Sequence, residues 1–339
     1  KALFPDKYRN SLLAFDWSFG IIYTVQMEAK GATYEAHAEE FLSGSPLALT
    51  DGEIGPDGAL YFLTGGRRLE SDLYRVYHKD YKNIKAANET PKNLMSDDIQ
   101  LRRDIEKYHR LSPAGTAERV WEYLGHEDRR IRYAARIAIE HQPVDSWKDS
   151  VFKERNVVRL TEAMLALARN GDASLEPQMM RKLATIDVKA LPIAMKENLL
   201  RVYEVIIARM GVPSDEDRLQ LLAKLTDFYP SNNNMLDREL TKILVRLGDD
   251  KVVGKTVPML YTVKDDSTGG DTFMNSSDLI LRNPQYGLDI ANMLASIPPA
   301  QQIYLATMLS VADKGWTPEL QEKYFKWYHQ AFGFKGGNS

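Results

Sequence analysis

Apolar and polar residues alternate along the first 78 residues of the chain, a spacing that is typical of β-strands. Leu13, Phe15 and Trp17 alternate in the first run, and residues 20–27 and 33–42 form the next two runs. Three shorter runs follow before the alternation ends. The pattern therefore predicts six antiparallel strands joined by turns.

The last three runs lie in residues 50–78, around the tight turn Gly55-Pro56-Asp57-Gly58. Proline presets the second position of such a turn, and glycine accepts a positive φ. Both faces of residues 59–64 are largely apolar, so this strand needs cover on each side. A sheet stacked between two other sheets has such cover, as in a β-propeller blade.

A propeller blade has four antiparallel strands. Each strand-like run can therefore be assigned to an inner or outer position within a blade. Residues 11–41 then form the outer three strands of one blade, and residues 50–78 the inner three strands of the next. We therefore predict that residues 1–78 are the C-terminal blades, about two, of a partial β-propeller. The strand-like start and the Gly-rich end at residues 336–339 lead us to expect a fragment of a longer polypeptide.

Helical periodicity replaces the alternation after residue 97, and the polar segment at residues 79–97 is predicted to be a linker. The clearest helix pair lies at residues 117–140, and similar pairs recur every 35–45 residues, roughly the period of HEAT-type α-solenoids. We predict that residues 98–335 form a HEAT-like helical repeat domain, so the chain is mostly α with an N-terminal all-β part. Further helices are predicted at residues 158–169, 199–210, 219–225, 235–247, 252–263, 286–296, 299–312 and 318–331.

Ser214, Asn234 and Thr317 are predicted to be N-cap residues, because each directly precedes a helical pattern. The chain of 339 residues has a net charge of −3, which gives no general reason to expect nucleic acid as a partner. It contains no cysteine, so disulfides and cysteine nucleophiles are excluded within it. No apolar run approaches the ~18 residues of a spanning helix, so no transmembrane segment is predicted.

Several sequence blocks, taken in order, carry a family resemblance. They are residues 53–61 (EIGPDGALY), 73–76 (LYRV), 128–136 (DRRIRYAAR), Trp147, 315–317 (GWT) and 324–327 (YFKW). The ordered set resembles large multidomain proteins of bacterial envelopes that are described as membrane-bound dehydrogenases or haem-binding proteins. In these proteins a propeller similar to that of pyrroloquinoline-quinone (PQQ) sugar dehydrogenases precedes a HEAT-like region and a cytochrome c domain.

The resemblance implies a periplasmic or extracellular location, a redox role for the parent protein and protein partners in an envelope complex. It also implies PQQ and Ca²⁺ in the parent propeller and carbohydrate as a substrate. No Cys-x-x-Cys-His motif is present, so a haem c domain would lie beyond Ser339. We expect no cofactor to be held within this chain alone.

Four residues are candidates for binding a cofactor or a substrate. The strand assignment places Asp16, Trp17, Arg67 and Arg68 in loops on one face of the propeller. An arginine pair is suited to carboxylates such as those of a quinone cofactor, and an Asp beside a Trp is suited to a sugar. The alternative interpretation is a solvated loop with a packed Trp and structural ion pairs.

The other polar motifs favour structural roles. Asp57 is predicted to stabilise its turn, and the Asp265–Asp271 loop to be a surface loop rather than a Ca²⁺ site. The arginines of residues 129–136 are predicted to form a solvated face or to bond neighbouring repeats, and the aromatic residues 316–328 to seal the last helix. The six histidines lack metal-ligand spacing: His37, His78, His109, His126, His141 and His329.

Two functions remain open from the sequence. In the first, the chain is the C-terminal part of a quinoprotein-type sugar or alcohol dehydrogenase, with the helical region as an interaction scaffold. In the second, a non-catalytic propeller and a HEAT scaffold hold partners in an envelope complex. No complete catalytic set is visible, so the fragment alone is not expected to be catalytic.

Overall fold

A computed structural model describes residues 2–8, 11–66, 70–84, 94–266 and 299–334 of the chain. The described residues form two compact units. The first ends at Gln100, and the second begins at Leu101. The N-terminal part contains two small antiparallel sheets, and the rest is mostly helical, which confirms a mostly α chain with an N-terminal all-β part. No helix among the described residues combines the length and apolarity that crossing a membrane requires.

Each sheet contains three strands in sequence order, and together they confirm the six predicted strands. Consecutive strands pair antiparallel within each sheet. The first sheet consists of β1 (Leu12–Asp16), β2 (Ile21–Lys30) and β3 (Thr33–Ser43). The second consists of β4 (Leu49–Ile54), β5 (Leu60–Thr64) and β6 (Leu73–Val76).

The two sheets share one hydrophobic core. Ile22 of the first sheet is buried with Leu49, Leu60 and Phe62 of the second. Residues 60, 62 and 64 of β5 are buried while Leu63 is exposed, so β5 is covered mainly on one face, not equally on both. A closed propeller is not present within the described residues.

Gly52 of β4 packs closely against the Phe15 ring of β1 in the other sheet. A Cβ atom at this position would lie 2.7 Å from the Phe15 ring of β1 and 2.9 Å from the Tyr61 carbonyl oxygen. Both distances are shorter than a normal contact, and the carbonyl cannot move without disturbing the β4–β5 pairing. The packing of the two sheets therefore requires glycine at position 52.

We expect Gly52→Ala to lower the free energy of unfolding of the β unit by about 1–3 kcal/mol, the usual cost of overpacking. Urea denaturation followed by near-UV circular dichroism would measure the change. Gly254→Ala is the control, because this helical position has only one neighbouring atom, at 4.0 Å, and alanine is the better helix former. Equal destabilisation by the two substitutions would contradict the packing argument.

The described residues contain 12 α-helices, which follow the strands. They are α1 (Asp97–Glu106), α2 (Thr116–Trp121), α3 (Arg129–Glu140), α4 (Lys148–Lys153), α5 (Val157–Asn170), α6 (Glu176–Ala184), α7 (Ile193–Met210), α8 (Asp215–Thr226), α9 (Asn234–Leu247), α10 (Val252–Thr262), α11 (Ala300–Leu309) and α12 (Pro318–Ala331). The helix predicted at residues 286–296 lies outside the described residues.

The helix starts agree with two of the three predicted caps. Ser214 accepts a hydrogen bond from the Asp217 amide, and Thr317 accepts one from the Leu320 amide. The third prediction is wrong by one residue, because Asn233 caps α9 and its Oδ1 accepts from the Leu236 amide at 3.0 Å. Asn234 is instead the first helical residue. Consecutive asparagines all have the right chemistry for a cap, so only the backbone conformation selects one.

Alternate helices of the second unit pack side by side in chain order. Helix α5 lies between α3 and α7, and α9 lies between α7 and α11. We call this series, α3–α5–α7–α9–α11, the helix ladder. The interfaces of the ladder are apolar, with fully buried residues such as Leu167, Ile206 and Leu244. Helices outside the ladder pack on its members as well, with α2 on α3, α4 on α5 and α10 on α11.

Candidate functional site

The turn between β1 and β2 holds two of the predicted site residues, Asp16 and Trp17. The Asp16 Oδ1 atom accepts hydrogen bonds from the backbone amides of Ser18 at 2.9 Å and Phe19 at 3.0 Å. This is the bonding of an Asx turn, which shapes the loop. Asp16 therefore has a structural role that the sequence pattern did not predict, and one of its carboxylate oxygens is used by the turn.

Trp17 connects this turn to the loop that follows β5. Its indole Nε1 donates a hydrogen bond to the Gly65 carbonyl oxygen at 3.0 Å, and 38% of the residue is exposed. The β1–β2 turn and the start of the β5–β6 loop are therefore adjacent. Arg67 and Arg68 belong to that same loop, but they lie outside the described residues, so their predicted role stays a prediction.

A quinone cofactor needs cations for its carboxylates and a flat surface for its rings. At this end of the two sheets, the described residues supply one partly exposed indole, and Asp16 is engaged in its turn. These described residues alone do not form a quinone-binding set.

Asp57 lies in the β4–β5 turn and is held by two side chains of the same sheet. Its Oδ2 atom accepts from the Tyr61 hydroxyl at 3.0 Å and from the Arg75 guanidinium at 2.7 Å. The hydrogen bonds from Arg75 hold the pKa of Asp57 below its usual range. Asp57 also accepts from the Ala59 amide at 3.2 Å. These contacts agree with the turn role predicted for Asp57.

The arginines of α3 divide into an exposed pair and a largely buried pair. Arg129 and Arg130 are exposed. Arg132 and Arg136 point toward α5, where both approach Glu162, at 3.5 Å and 3.7 Å. The prediction of a solvated face is wrong for Arg132 and Arg136. These two arginines instead form ion pairs with a neighbouring helix. A helical i,i+4 spacing alone does not distinguish these environments.

Arg132, Arg136 and Glu162 are the centre of a larger group that we call the α3–α5 ion cluster. Glu140 of α3 is 3.6 Å from Arg136 and 3.0 Å from Arg169 of α5, which completes the cluster. Burial raises the pKa of Glu162, although the two arginines act in the opposite direction. The cluster therefore joins two ladder helices and is a structural element.

The Asp265–Asp271 loop, which was predicted to be a surface loop rather than a Ca²⁺ site, begins with two aspartates that have structural partners. Asp265 accepts hydrogen bonds from the first amides of α11, those of Ala300 at 2.9 Å and Gln301 at 2.6 Å. Asp266 accepts from the Asn234 side chain at 2.9 Å. Residues 267–271 lie outside the described residues. Within the described ranges, no group of three acidic or histidine side chains is arranged for a metal ion.

The C-terminal aromatic residues pack α12 against α11. The Tyr324 hydroxyl donates to the Ala306 carbonyl at 2.8 Å, and Trp327 Nε1 donates to Gln302 at 3.1 Å. Both rings are buried, and Trp316 lies edge-on to Tyr324 with centroids 5.0 Å apart. These contacts seal the last helix against α11, which is the role that the helical spacing of the aromatic residues favoured.

A groove on the helix ladder was not predicted from the sequence. It has a volume of about 330 Å³ and lies between α7, α9 and the end of α11. We call it the ladder groove. Its apolar surface comes from residues that are far apart in the chain: Ile207, Ala208, Ile243, Met308 and Val311. No local motif connects residues 207 and 311, so only long-range packing brings them together.

Charged residues line the ladder groove beside its apolar surface. Lys242 of α9 is paired with Glu204 of α7 at 2.8 Å and with Glu239 at 2.9 Å. Arg246 and Asp313 also line the groove. Neither has an ion-pair or hydrogen-bond partner among the residues that the structure describes. The groove therefore combines apolar surface with one unpaired positive and one unpaired negative group.

Asp237 is a buried carboxylate on α9, one of the helices that form the groove. It is 2% exposed, and its Oδ1 atom accepts from both the amide and the hydroxyl of Ser231 at 2.7 Å. Burial raises its pKa above the usual 3.8, and the bonds from Ser231 only partly oppose this. The carboxylate holds the α8–α9 loop against the start of α9.

This raised pKa predicts a specific pH dependence. A pKa higher in the folded than in the unfolded state contributes stability below the unfolded value, about 4, and that stability is lost as pH rises through the folded value. Asp237→Asn keeps an acceptor oxygen but does not titrate. We expect the stability of the variant relative to wild type to increase as the pH rises above about 4.

Chemical denaturation at several pH values measures this difference. The control is Asp237→Ala, which removes the acceptor and should cost about 1–3 kcal/mol because buried donors lose their partner. A constant difference between Asp237→Asn and wild type across the pH range would show that Asp237 titrates normally in the folded protein.

Comparison with known proteins adds no assignment to this geometry. The chain matches no family model, no curated protein sequence and no solved structure. The functional argument therefore rests on the chain's own residues. The ladder groove is the candidate binding site, because the other candidate residues with described side chains have structural partners.

Proposed function

We propose that the helical part of this chain is a scaffold that binds a segment of a partner protein at the ladder groove. One observation carries the proposal: an open, mostly apolar groove with unpaired charges lies across three successive ladder helices. Scaffolds built from stacked helices typically bind proteins on such extended surfaces. Apolar surface with a few placed polar groups is also what ligand sites share.

The packing order of the helices supports a HEAT-like solenoid as the architecture of this scaffold. Each ladder helix packs against the next one in the series, as expected when repeats contact only their neighbours. Asp128 caps α3 through the Arg130 amide at 2.7 Å, and Arg132 and Arg136 bond the next ladder helix. Bonds between neighbouring ladder helices are what a repeat architecture would have, so these contacts support it.

Site-specific photo-crosslinking tests the scaffold function. A photoreactive amino acid replaces Ala208, which lines the groove, or Ala223 of α8, which is exposed elsewhere. The groove position should capture one reproducible partner in the native host, and the purified partner should then bind the chain with a defined stoichiometry. Equal capture at both positions, or a partner that fails to bind when purified, would count against the proposal.

A second proposal concerns the β part. We propose that it is the end of a propeller in a longer envelope dehydrogenase-like protein, as the family resemblance implies. The bond between Trp17 and Gly65 supports this, because it joins two loops that the strand order assigns to one propeller face. PQQ would carry the oxidation of a sugar or alcohol hydroxyl in that protein.

The longer protein, supplied with PQQ and Ca²⁺, should reduce an artificial electron acceptor in the presence of sugars or alcohols. Equilibrium dialysis of PQQ against the same preparation is the independent measurement. Absence of both activity and quinone binding would contradict the dehydrogenase proposal and leave the scaffold proposal untouched.

A further inference from the structure

The two kinds of charge in the ladder groove differ in what they can offer a ligand. Lys242 has two carboxylate partners, Glu204 and Glu239, so its charge is already balanced within the protein. Glu204 is also paired with Arg201, across one turn of α7. This four-residue set supports the wall between α7 and α9. It leaves no unbalanced positive charge for a bound molecule.

Arg246 and Asp313, unlike Lys242, are available to form ion pairs with a ligand. Within the described part of the chain, neither the Arg246 nor the Asp313 side chain has a hydrogen-bond or ion-pair partner. A free guanidinium on a partly apolar surface favours a carboxylate, which it can bind through two parallel hydrogen bonds. A free carboxylate on the same surface favours an ammonium or guanidinium group. The groove therefore selects for a ligand that has both charges.

The apolar surface and its exposure indicate the size of that ligand. Val311 is 66% exposed at the groove, and Ala208 is also exposed, so the groove is open to solvent along its length. Ile207 and Ile243 are nearly fully buried and form its floor. An open groove with an apolar floor suits an extended chain whose side chains enter from above. It suits a small molecule less well, because such a molecule would keep much of its surface in water.

We propose that the ladder groove recognises a peptide segment in which an acidic and a basic residue flank apolar side chains. The acidic residue pairs with Arg246, the basic residue pairs with Asp313, and the apolar side chains pack on the exposed Ala208 and Val311. The proposal rests on the scaffold function and specifies its ligand. The opposite charges on α9 and after α11 provide the charge complementarity that selects this peptide.

Charge-matched peptides test this recognition. The probe is a labelled hexapeptide of sequence GELLKG with blocked ends, and fluorescence anisotropy measures its binding to the full chain. Wild type should bind GELLKG about tenfold more tightly than GKLLKG, which corresponds to about 1.4 kcal/mol for one ion pair in the groove. A peptide can bind in either direction along the groove. The test therefore compares peptides by the number and sign of their charges, not by the order of the charged residues.

Charge reversal of the protein should reverse this preference. Arg246→Glu should bind GKLLKG more tightly than GELLKG, and Asp313→Lys should prefer GELLEG. Arg130→Glu is the matched control, because Arg130 is an exposed helical arginine away from the groove, and it should keep the wild-type preference. Circular dichroism of each variant confirms that its helices are intact.

Two results would overturn the proposal. One is an unchanged peptide preference in Arg246→Glu and Asp313→Lys, and the other is binding that the Arg130→Glu control alters equally. If crosslinking at Ala208 still captures a partner in either case, the scaffold function stands and the peptide chemistry is wrong. If a fatty acid competes for the groove while no peptide binds, the occupant is a small amphiphile and the proposal fails.

Discussion

Replacing Glu162 by alanine should lower the free energy of unfolding of the helical unit by about 3 kcal/mol. The substitution leaves Arg132 and Arg136 largely buried without their shared carboxylate, and breaking a buried ion pair typically costs about 3–5 kcal/mol. We expect the lower end, because Arg132 retains hydrogen bonds to the His126 and Glu127 carbonyls and Arg136 retains Glu140. Urea denaturation followed by far-UV circular dichroism measures the change.

Two further variants separate the ion-pair effect from the effect of size. Glu162→Gln keeps the volume and one acceptor oxygen, and burial already makes the ionised form of Glu162 costly. The glutamine variant should therefore lose far less stability than the alanine variant. Glu322→Ala removes an exposed pair with Lys326 and should cause no measurable change. If alanine at 322 and alanine at 162 have the same effect, the cluster has no structural role.

Replacing Trp147 by alanine should lower the free energy of unfolding by about 3–5 kcal/mol, the usual loss for a fully buried aromatic residue. Trp147 is 1% exposed and is among the largest fully buried side chains. Its indole Nε1 donates to the Gln142 carbonyl at 3.2 Å. The loss therefore combines a cavity with an unpaired carbonyl between α3 and α4.

Gln142 explains why this position affects more than one helix. The Gln142 side chain donates to the Ala138 and Arg110 carbonyls and accepts from the Ser112 amide, so it joins the end of α3 to the segment before α2. Trp147 holds the backbone of the same residue. Loss of the indole should therefore loosen both segments.

Trp147→Phe isolates the hydrogen bond, because it preserves most of the buried area. We expect it to cost about 1–2 kcal/mol, within the range for leaving one buried polar group unpaired. Phe332→Ala is the control, since Phe332 is 86% exposed and should contribute little. Hydrogen exchange should show faster exchange at the end of α3 in Trp147→Ala. Unchanged exchange there would mean that the loop is held by other contacts.

The α3–α5 ion cluster and the ladder groove differ in burial, and this difference indicates which charges stabilise the fold and which can bind a ligand. In the α3–α5 ion cluster, Arg132, Arg136 and Glu162 are largely buried and pair with one another. In the ladder groove, Arg246 and Asp313 face a partly apolar surface without protein partners among the described residues. Buried charges must be paired within the fold, whereas charges at an open surface are free to select a ligand. The first system is therefore expected to control stability, and the second to control binding.

Local sequence patterns were sufficient to predict much of the secondary structure of this protein. Alternation with a period of two predicted the six strands, and helical periodicity with Ser214 and Thr317 as caps predicted the positions of several helices. These predictions succeed because strand and helix periods, turns and caps depend on residues only a few positions apart. Even so, the cap of α9 shifted by one residue, to Asn233, since neighbouring residues of the same type give no local signal.

The roles of the polar residues depend on how the helices and strands pack, so local patterns did not predict them. Arg136 and Glu140 read as a solvated pair in the sequence, but packing of α5 onto α3 buries them beside Glu162. Asp16 became a turn residue because the local backbone conformation brings two amides to it. The ladder groove joins residues 207, 243 and 311 across three helices. Burial and long-range contact depend on how elements pack, and no pattern of a few neighbouring residues records that.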